Sequence, residues 1–262
     1  MGRFSIVLFL ALGLGFLGCG KRETDPCKNK EYPKIMKDKT VADFNRGDLY
    51  SALLDINEAK RCSPRDPEVY YWLCRIYIAR MEKEKAKDNC EIALKYRADY
   101  PEANMAMGMM LLEEGKYLEA LEYFKKAASN DLYLEAYLAW NNIGYIYLQM
   151  DKFKEAEEAL QRSITLSPHP YSCLAYCNLG ELRSRQKRYQ EAVKEYKKSI
   201  ELCPEFARPH RLLGLEYNRQ GKLKDACREF ELTLKYAPAG GEEAKSAEQY
   251  LKLLNCPVSI NK

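Results

Sequence analysis

The sequence predicts an all-α fold: a solenoid of about six stacked helix pairs, closed by a C-terminal capping helix. Three observations carry that expectation. A unit made of a small residue, a Gly-x-aromatic turn, an Ala and a Pro recurs about every 34 residues. Within each unit, apolar residues fall at helical spacing. Where a glycine turn is present, it cuts the unit into two stretches of helix length, as Gly115-Lys116-Tyr117 does between Gly108 and Ala120.

The third unit shows the physical logic. Pro101 opens its first helix, where the missing N–H costs nothing, and apolar residues follow through Met107, Gly108 and Leu111. Glu113-Glu114-Gly115-Lys116 ends that helix. Ala120 begins the buried face of the second helix, where a side chain no larger than methyl allows approach to Gly108, and Phe124 and Ala127 continue that face. Such a hairpin leaves one face uncovered, and only a neighbouring unit can bury it.

In chain order the units start near Pro33, Pro67, Pro101, Tyr137, Cys173 and Ala207, in steps of 34, 34, 36, 36 and 34 residues. The expected repeat region is 33–254, with units at 33–66, 67–100, 101–134, 137–170, 173–206 and 207–240. The first unit carries Thr40 at the small position but keeps Gly47, Ala52, Ala59 and Pro64. The second has Cys74 at the small position and Met81-Glu82-Lys83 in place of the glycine turn. The fourth reads Gly144, Phe153, Ala156, Pro168; the fifth Gly180, Tyr189, Ala192, Pro204; the sixth Gly214, Gly221-Lys222-Leu223, Ala226, Pro238. The two longer steps place extra residues in the connections around Leu132-Tyr133 and His169-Pro170-Tyr171. After Gly240-Gly241, residues 242–254 read as the cap helix and 255–262 as a tail.

At the N-terminus, Arg3 precedes an uncharged, largely apolar run of fifteen residues, 4–18. A bilayer-spanning helix needs roughly 18–20, so residues 1–18 read as a signal peptide. The run ends at Phe16-Leu17-Gly18-Cys19, which resembles a bacterial lipobox. That resemblance implies a lipid on Cys19, which then becomes the mature N-terminus; the alternative is an ordinary secretory signal with a chance cysteine. Each buried lipid methylene contributes about 0.8 kcal/mol, so several chains hold a protein on a membrane without a transmembrane helix. Gly20 stands where an Asp would signal inner-membrane retention under the enterobacterial sorting rule, which points to the outer membrane, facing the periplasm. Residues 19–32 are polar and rich in Lys and Glu, which predicts a flexible tether.

Composition and chemistry exclude more than they select. The chain has 42 basic and 38 acidic side chains, a near balance that offers no stripe for nucleic acid. The two histidines, His169 and His210, have no triad motif around them, and neither a P-loop nor a dinucleotide fingerprint is present. The expectation is therefore no enzyme activity, no catalytic residue, no cofactor and no small-molecule substrate. Apart from Cys19, nine cysteines remain, an odd number that leaves at least one unpaired. In an oxidising compartment some should pair. Because helix starts and ends adjoin in an antiparallel pair, Cys173 with Cys203 and Cys227 with Cys256 are the candidate disulfides. Cys74 reads as a buried thiol filling a tight contact. Cys173 and Cys177 could share a helical face, but nothing completes a four-ligand metal site, so no metal is expected.

The unit resembles the tetratricopeptide repeat. Trp140, Ile143, Gly144, Tyr147, Ala156, Leu160 and Pro168 carry the resemblance, as do Leu213, Gly214, Tyr217, Ala226, Phe230 and Pro238; the first unit departs at Thr40 and Asp43. It implies a right-handed superhelix whose concave face is lined by positions 2, 5, 9 and 12 of each first helix. Mapped onto this chain, those positions give Glu68, Tyr71, Arg75, Ile78, Glu102, Met105, Met109 and Leu112 in the second and third units. The fourth gives Leu138, Asn141, Tyr145 and Leu148, and the sixth contributes Arg208 and Arg211. The expected groove is apolar in its middle and basic at its C-terminal end, suited to an amphipathic or hydrophobic protein segment whose acidic part meets the two arginines.

The whole organisation is similar to the pilotin lipoproteins of type IV pilus biogenesis. The lipobox, the six units, Asn141-Asn142-Ile143-Gly144-Tyr145, the connection leading to Cys177-Asn178-Leu179-Gly180, and Asp225-Ala226-Cys227-Arg228-Glu229-Phe230 carry that resemblance. It implies an outer-membrane adaptor that helps a secretin subunit localise and assemble. The alternative is a lipoprotein scaffold that regulates cell-wall or other envelope enzymes.

Overall fold

The structure is a computed structural model and describes residues 25–167 and 171–256. Cys19, the expected signal at 1–18, His169 and the tail beyond 256 lie outside the described residues. Among the described residues there are thirteen α-helices and no strand. Six pairs follow one another: α1 (Tyr32–Asn45) with α2 (Leu49–Cys62), α3 (Pro67–Ala79) with α4 (Lys83–Tyr96), and α5 (Pro101–Glu113) with α6 (Tyr117–Ala128). Then come α7 (Ala136–Gln149) with α8 (Phe153–Leu166), α9 (Cys173–Arg185) with α10 (Tyr189–Leu202), and α11 (Ala207–Arg219) with α12 (Leu223–Tyr236); α13 (Glu242–Leu253) covers the last pair. The chain is an all-α superhelical solenoid.

One backbone device turns the chain inside every unit. Gly47, Met81, Gly115, Asp151, Lys187 and Gly221 stand at the same place in their units, and all six have positive φ. The next N–H bonds back to the carbonyl five residues earlier, for example Lys116 to Leu111 at 2.9 Å and Lys222 to Tyr217 at 2.9 Å. This is the Schellman ending, which satisfies carbonyls that the helix itself leaves open. Glycine adopts that conformation freely, whereas Met81, Asp151 and Lys187 hold it at a cost of about 1–2 kcal/mol each.

The two helices of a pair come close at the small position, and a large side chain of the second helix lies against it. A Cβ on Gly108 would lie 2.7 Å from the ring of Phe124, and one on Gly180 would lie 2.4 Å from the ring of Tyr196. Gly144 and Gly214 meet Leu160 and Phe230 in the same way. The side chain lying against the small residue is thus the large one sixteen positions on, and at Gly144 the carbonyl of Ala156, the equivalent of Ala120, would also lie 3.3 Å from a Cβ. Each of these large side chains is buried, and burying one Phe contributes about 1.5–3 kcal/mol.

The second unit applies the same geometry to sulfur. Cys74 and Cys90 occupy the two facing positions and form a disulfide with their Cα atoms 5.2 Å apart, which corrects the reading of Cys74 as a thiol. Three further disulfides join Cys173 to Cys203, Cys227 to Cys256, and Cys27 to Cys62. The last of these corrects the expected tether over 19–32. Pro26–Lys28 forms a 3-10 turn bonded to the end of α2 through Cys27, and Asp25 pairs with Arg61 at 3.1 Å. Any free tether therefore ends before Asp25, because a covalent bond and an ion pair hold the following segment to the solenoid.

Candidate partner-binding groove

The inner face follows from which helices meet. Successive first helices touch (α1 with α3, α3 with α5, α7 with α9, α9 with α11), and α11 touches the cap α13, while second helices make no comparable contact with one another. A row that closes on one side and splays on the other curves, so α1, α3, α5, α7, α9 and α11 line the concave side. α5 and α7 make no comparable contact. There, in the first of the longer connections, Tyr133 packs with Met105 of α5 and Ala139 of α7.

The predicted groove residues separate into three groups. Ile78 and Met109 are each 41% exposed, and Met105, Leu112, Leu138 and Tyr145 are half-buried, so they form an accessible apolar strip. Tyr71 and Asn141 are buried at the base of that strip. Leu148 is 0% exposed and packs with Leu160, Ala175, Leu179 and Leu182, which removes it from the partner-facing set. Asn141 is committed as well: its Oδ1 accepts from Asn178 Nδ2 at 2.9 Å.

The expected basic end is also corrected, because both arginines are neutralised within the molecule. Arg208 donates to Glu181 and to Asn178, and its guanidinium lies 5.7 Å from the ring centroid of Tyr145. Arg211 pairs with Glu243 in the first turn of α13. Lys37 of the first unit likewise bridges Asp66 and Glu68. Charge on this face is mostly cancelled between neighbouring units, so the arginines serve as inter-unit clamps before they serve a partner.

Arg75 is the exception. Its guanidinium stacks against Phe44 and Trp72 at 4.9 and 5.4 Å and donates to the Tyr71 hydroxyl at 3.1 Å. Glu102, in the next unit, has a buried Oε2 with no hydrogen-bond partner among the described residues. Tyr133, which the repeat register could not place because it sits in an insertion, donates to Glu135 at 3.3 Å. Burial, with Glu102 and Glu135 nearby, holds the phenols of Tyr71 and Tyr133 above the ordinary tyrosine range, against the opposing pull of Arg75 on Tyr71. A pocket of about 260 Å³ opens beside Glu102 and Tyr133.

No catalytic arrangement emerges from the histidine in view. His210 is buried, and its ring nitrogens meet Glu229 at 2.7 Å and the Pro204 carbonyl at 2.9 Å, a brace between α11 and α12.

Residues 82–133 and 135–205 each match a family profile described as tetratricopeptide repeat. These segments are tetratricopeptide repeats. The fold they build is a protein-interaction fold, whose inner face takes protein segments. Solved structures agree on architecture. PilF of Pseudomonas aeruginosa is similar at a TM-score of 0.71 and 20% identity, with 84% of this chain and 98% of that chain covered. PilW, described as a widely conserved type IV pilus biogenesis factor, gives 0.71 and 21%, covering 82% of this chain and 98% of that one. A chain of the APC/C hetero-tetramer Cut9–Hcn1 also reaches 0.71, at 15% identity, with 86% and 44% covered. The fold by itself therefore selects no partner. No curated protein matches the sequence.

Proposed function

We propose that this tetratricopeptide protein is a lipid-anchored outer-membrane adaptor of the pilotin kind. In this reading it holds an apolar segment of a secretin subunit in its groove, shields it from aggregation, and supports multimer assembly in type IV pilus biogenesis. The observation that carries the reading is the extent of the likeness to PilF and PilW: it takes in 98% of each of those chains, where the Cut9–Hcn1 match takes in 44%. The apolar strip of Ile78, Met105, Met109 and Leu112 supplies the chemistry, since methionine adapts its shape to varied apolar surfaces.

The lipobox at Cys19 supplies the anchor in this reading. Cys27, which is bonded to Cys62, follows Cys19 by only eight positions. Eight residues reach at most about 29 Å in any conformation, so a lipid on Cys19 holds the first unit close to the membrane.

Two variants test the proposal. Cys19→Ser should leave the protein folded but release it from the outer-membrane fraction, taking secretin multimers with it. Met109→Lys places a charge in the apolar strip and should abolish secretin multimers with the protein still anchored. Normal secretin multimers in the Met109→Lys strain would overturn the groove reading. Recovery of cell-wall enzymes as the co-purifying partners would replace the secretin.

A further inference from the structure

The charge pattern of the groove says what else the bound segment carries. In the fifth and sixth units, Glu181 at position 9 pairs with Arg208 at position 2 of the next first helix. Arg75 and Glu102 hold the same two positions in the second and third units, with the signs reversed. That pairing is not made. Arg75 is turned away, stacked on Phe44 and Trp72 and bonded to Tyr71, and Glu102 Oε2 is left without a partner although it is removed from solvent.

Leaving a charged acceptor desolvated and unpaired costs more than an ordinary unmade hydrogen bond. The first turn of α5 offsets part of that cost, because its dipole favours a carboxylate there. It does not direct the oxygen to any protein donor. The surroundings suit a cation. The charged residues lining the pocket are Glu102, Asp99 and Arg97, and the Arg97 guanidinium is already taken up by the Tyr100 ring at 3.4 Å; Tyr133 lines it as well. Asp99 adds a second carboxylate to the lining, while the Asn130 Oδ1 already accepts from the Leu132 N–H at 3.0 Å. Tyr133, which lines the pocket, belongs to the buried cluster against which Met105 of the apolar strip packs.

We infer that the segment taken by the groove carries a lysine or arginine next to its apolar stretch, and that this side chain enters the pocket beside Tyr133 and pairs with Glu102. The inference rests on the groove reading above and reverses the sign of the partner charge expected from Arg208 and Arg211. A cation seated there meets the Glu102 carboxylate, one oxygen of which is removed from solvent, beside the Tyr133 ring.

The test uses small probes that carry no apolar segment, so it succeeds or fails independently of the secretin reading. The soluble form with carbon-13-labelled tyrosine rings is titrated with N-acetyl-arginine amide, N-acetyl-lysine amide and N-acetyl-glutamate amide at low ionic strength. Ring signals are assigned from single Tyr→Phe variants. Saturable shifts at Tyr133 and Tyr71 are expected with the two cations and not with the glutamate. Glu102→Gln, which keeps shape, should weaken the response by about tenfold or more. No saturable shift, an equal response to the glutamate, or a response retained in Glu102→Gln overturns the pocket. Binding that appears only in Arg75→Gln also overturns it, since Arg75 would then be the cation that closes the site. If Met109→Lys abolishes multimers while the probes fail, the groove stands without the pocket; the converse result removes the secretin reading alone.

Discussion

Cys177 shows how a single residue can look chemical in the sequence and be structural in the fold. It stands at position 5 of the first helix of the fifth unit and shares a helical face with Cys173, yet Cys173 is bonded to Cys203, and Cys177 is 0% exposed and free. Burial pushes its thiol up to about 12, with Arg208 nearby pulling the other way too weakly to matter. The thiolate is the reactive form, so at pH 8 only about one part in ten thousand is reactive, before access is considered. Iodoacetamide at pH 8 should leave Cys177 unmodified in the native protein and modify it once denaturant is added; rapid native labelling would show that α9 opens. The same scale shows where register fails. Ile78, Met105 and Met109 are accessible as their positions predict, whereas Leu148 has the same register and is buried. A fixed set of positions assumes equal curvature in every unit, and in this unit α9 packs over Leu148 through Ala175, Leu179 and Leu182, with Arg185 donating to the Leu148 carbonyl at 3.0 Å.

At the scale of elements, the helix pairs were legible because two signals coincide. Apolar spacing marks the buried faces, and the small residue marks where the two helices come closest. What could not be read was the pairing rule, a small residue under a large one sixteen positions on, because sequence shows which residues face inward but not which touch. That rule is why the Cys74–Cys90 bond was missed. The turns carry a prediction. Lys187 adopts φ 63° where Gly115 and Gly221 do so without strain. Lys187→Gly should stabilise the protein by about 1 kcal/mol, the left-handed penalty less the added entropy of glycine in the unfolded chain. Thermal denaturation followed by circular dichroism checks this, and an unchanged or lower midpoint would mean that the Lys187 side chain makes contacts worth more than the strain.

For the whole molecule, charge is arranged along the superhelix rather than spread over it. Lys37 with Glu68, Arg208 with Glu181, and Arg211 with Glu243 each tie one unit to the next, and the last ties the cap. Composition showed only that the totals nearly balance; the pairing across neighbouring units needed three dimensions. The disulfides follow a related logic. They lock the first two units, the fifth and the capped end, while the third and fourth units, which carry Met105, Met109, Tyr133 and Tyr145, have none. The stretch held least tightly by covalent bonds is the one that presents the apolar strip and the pocket.

The account therefore turns on whether a partner segment lies on the inner face of those middle units. A photo-crosslinking residue placed at Met109, and in a second strain at the exposed Lys154 of α8, would answer it in intact envelopes. The prediction is a crosslink to a secretin subunit from position 109 and none from position 154. A crosslink from position 154 with none from position 109 would contradict it, because the partner would then be held on the outer helices and the groove would be a by-product of packing.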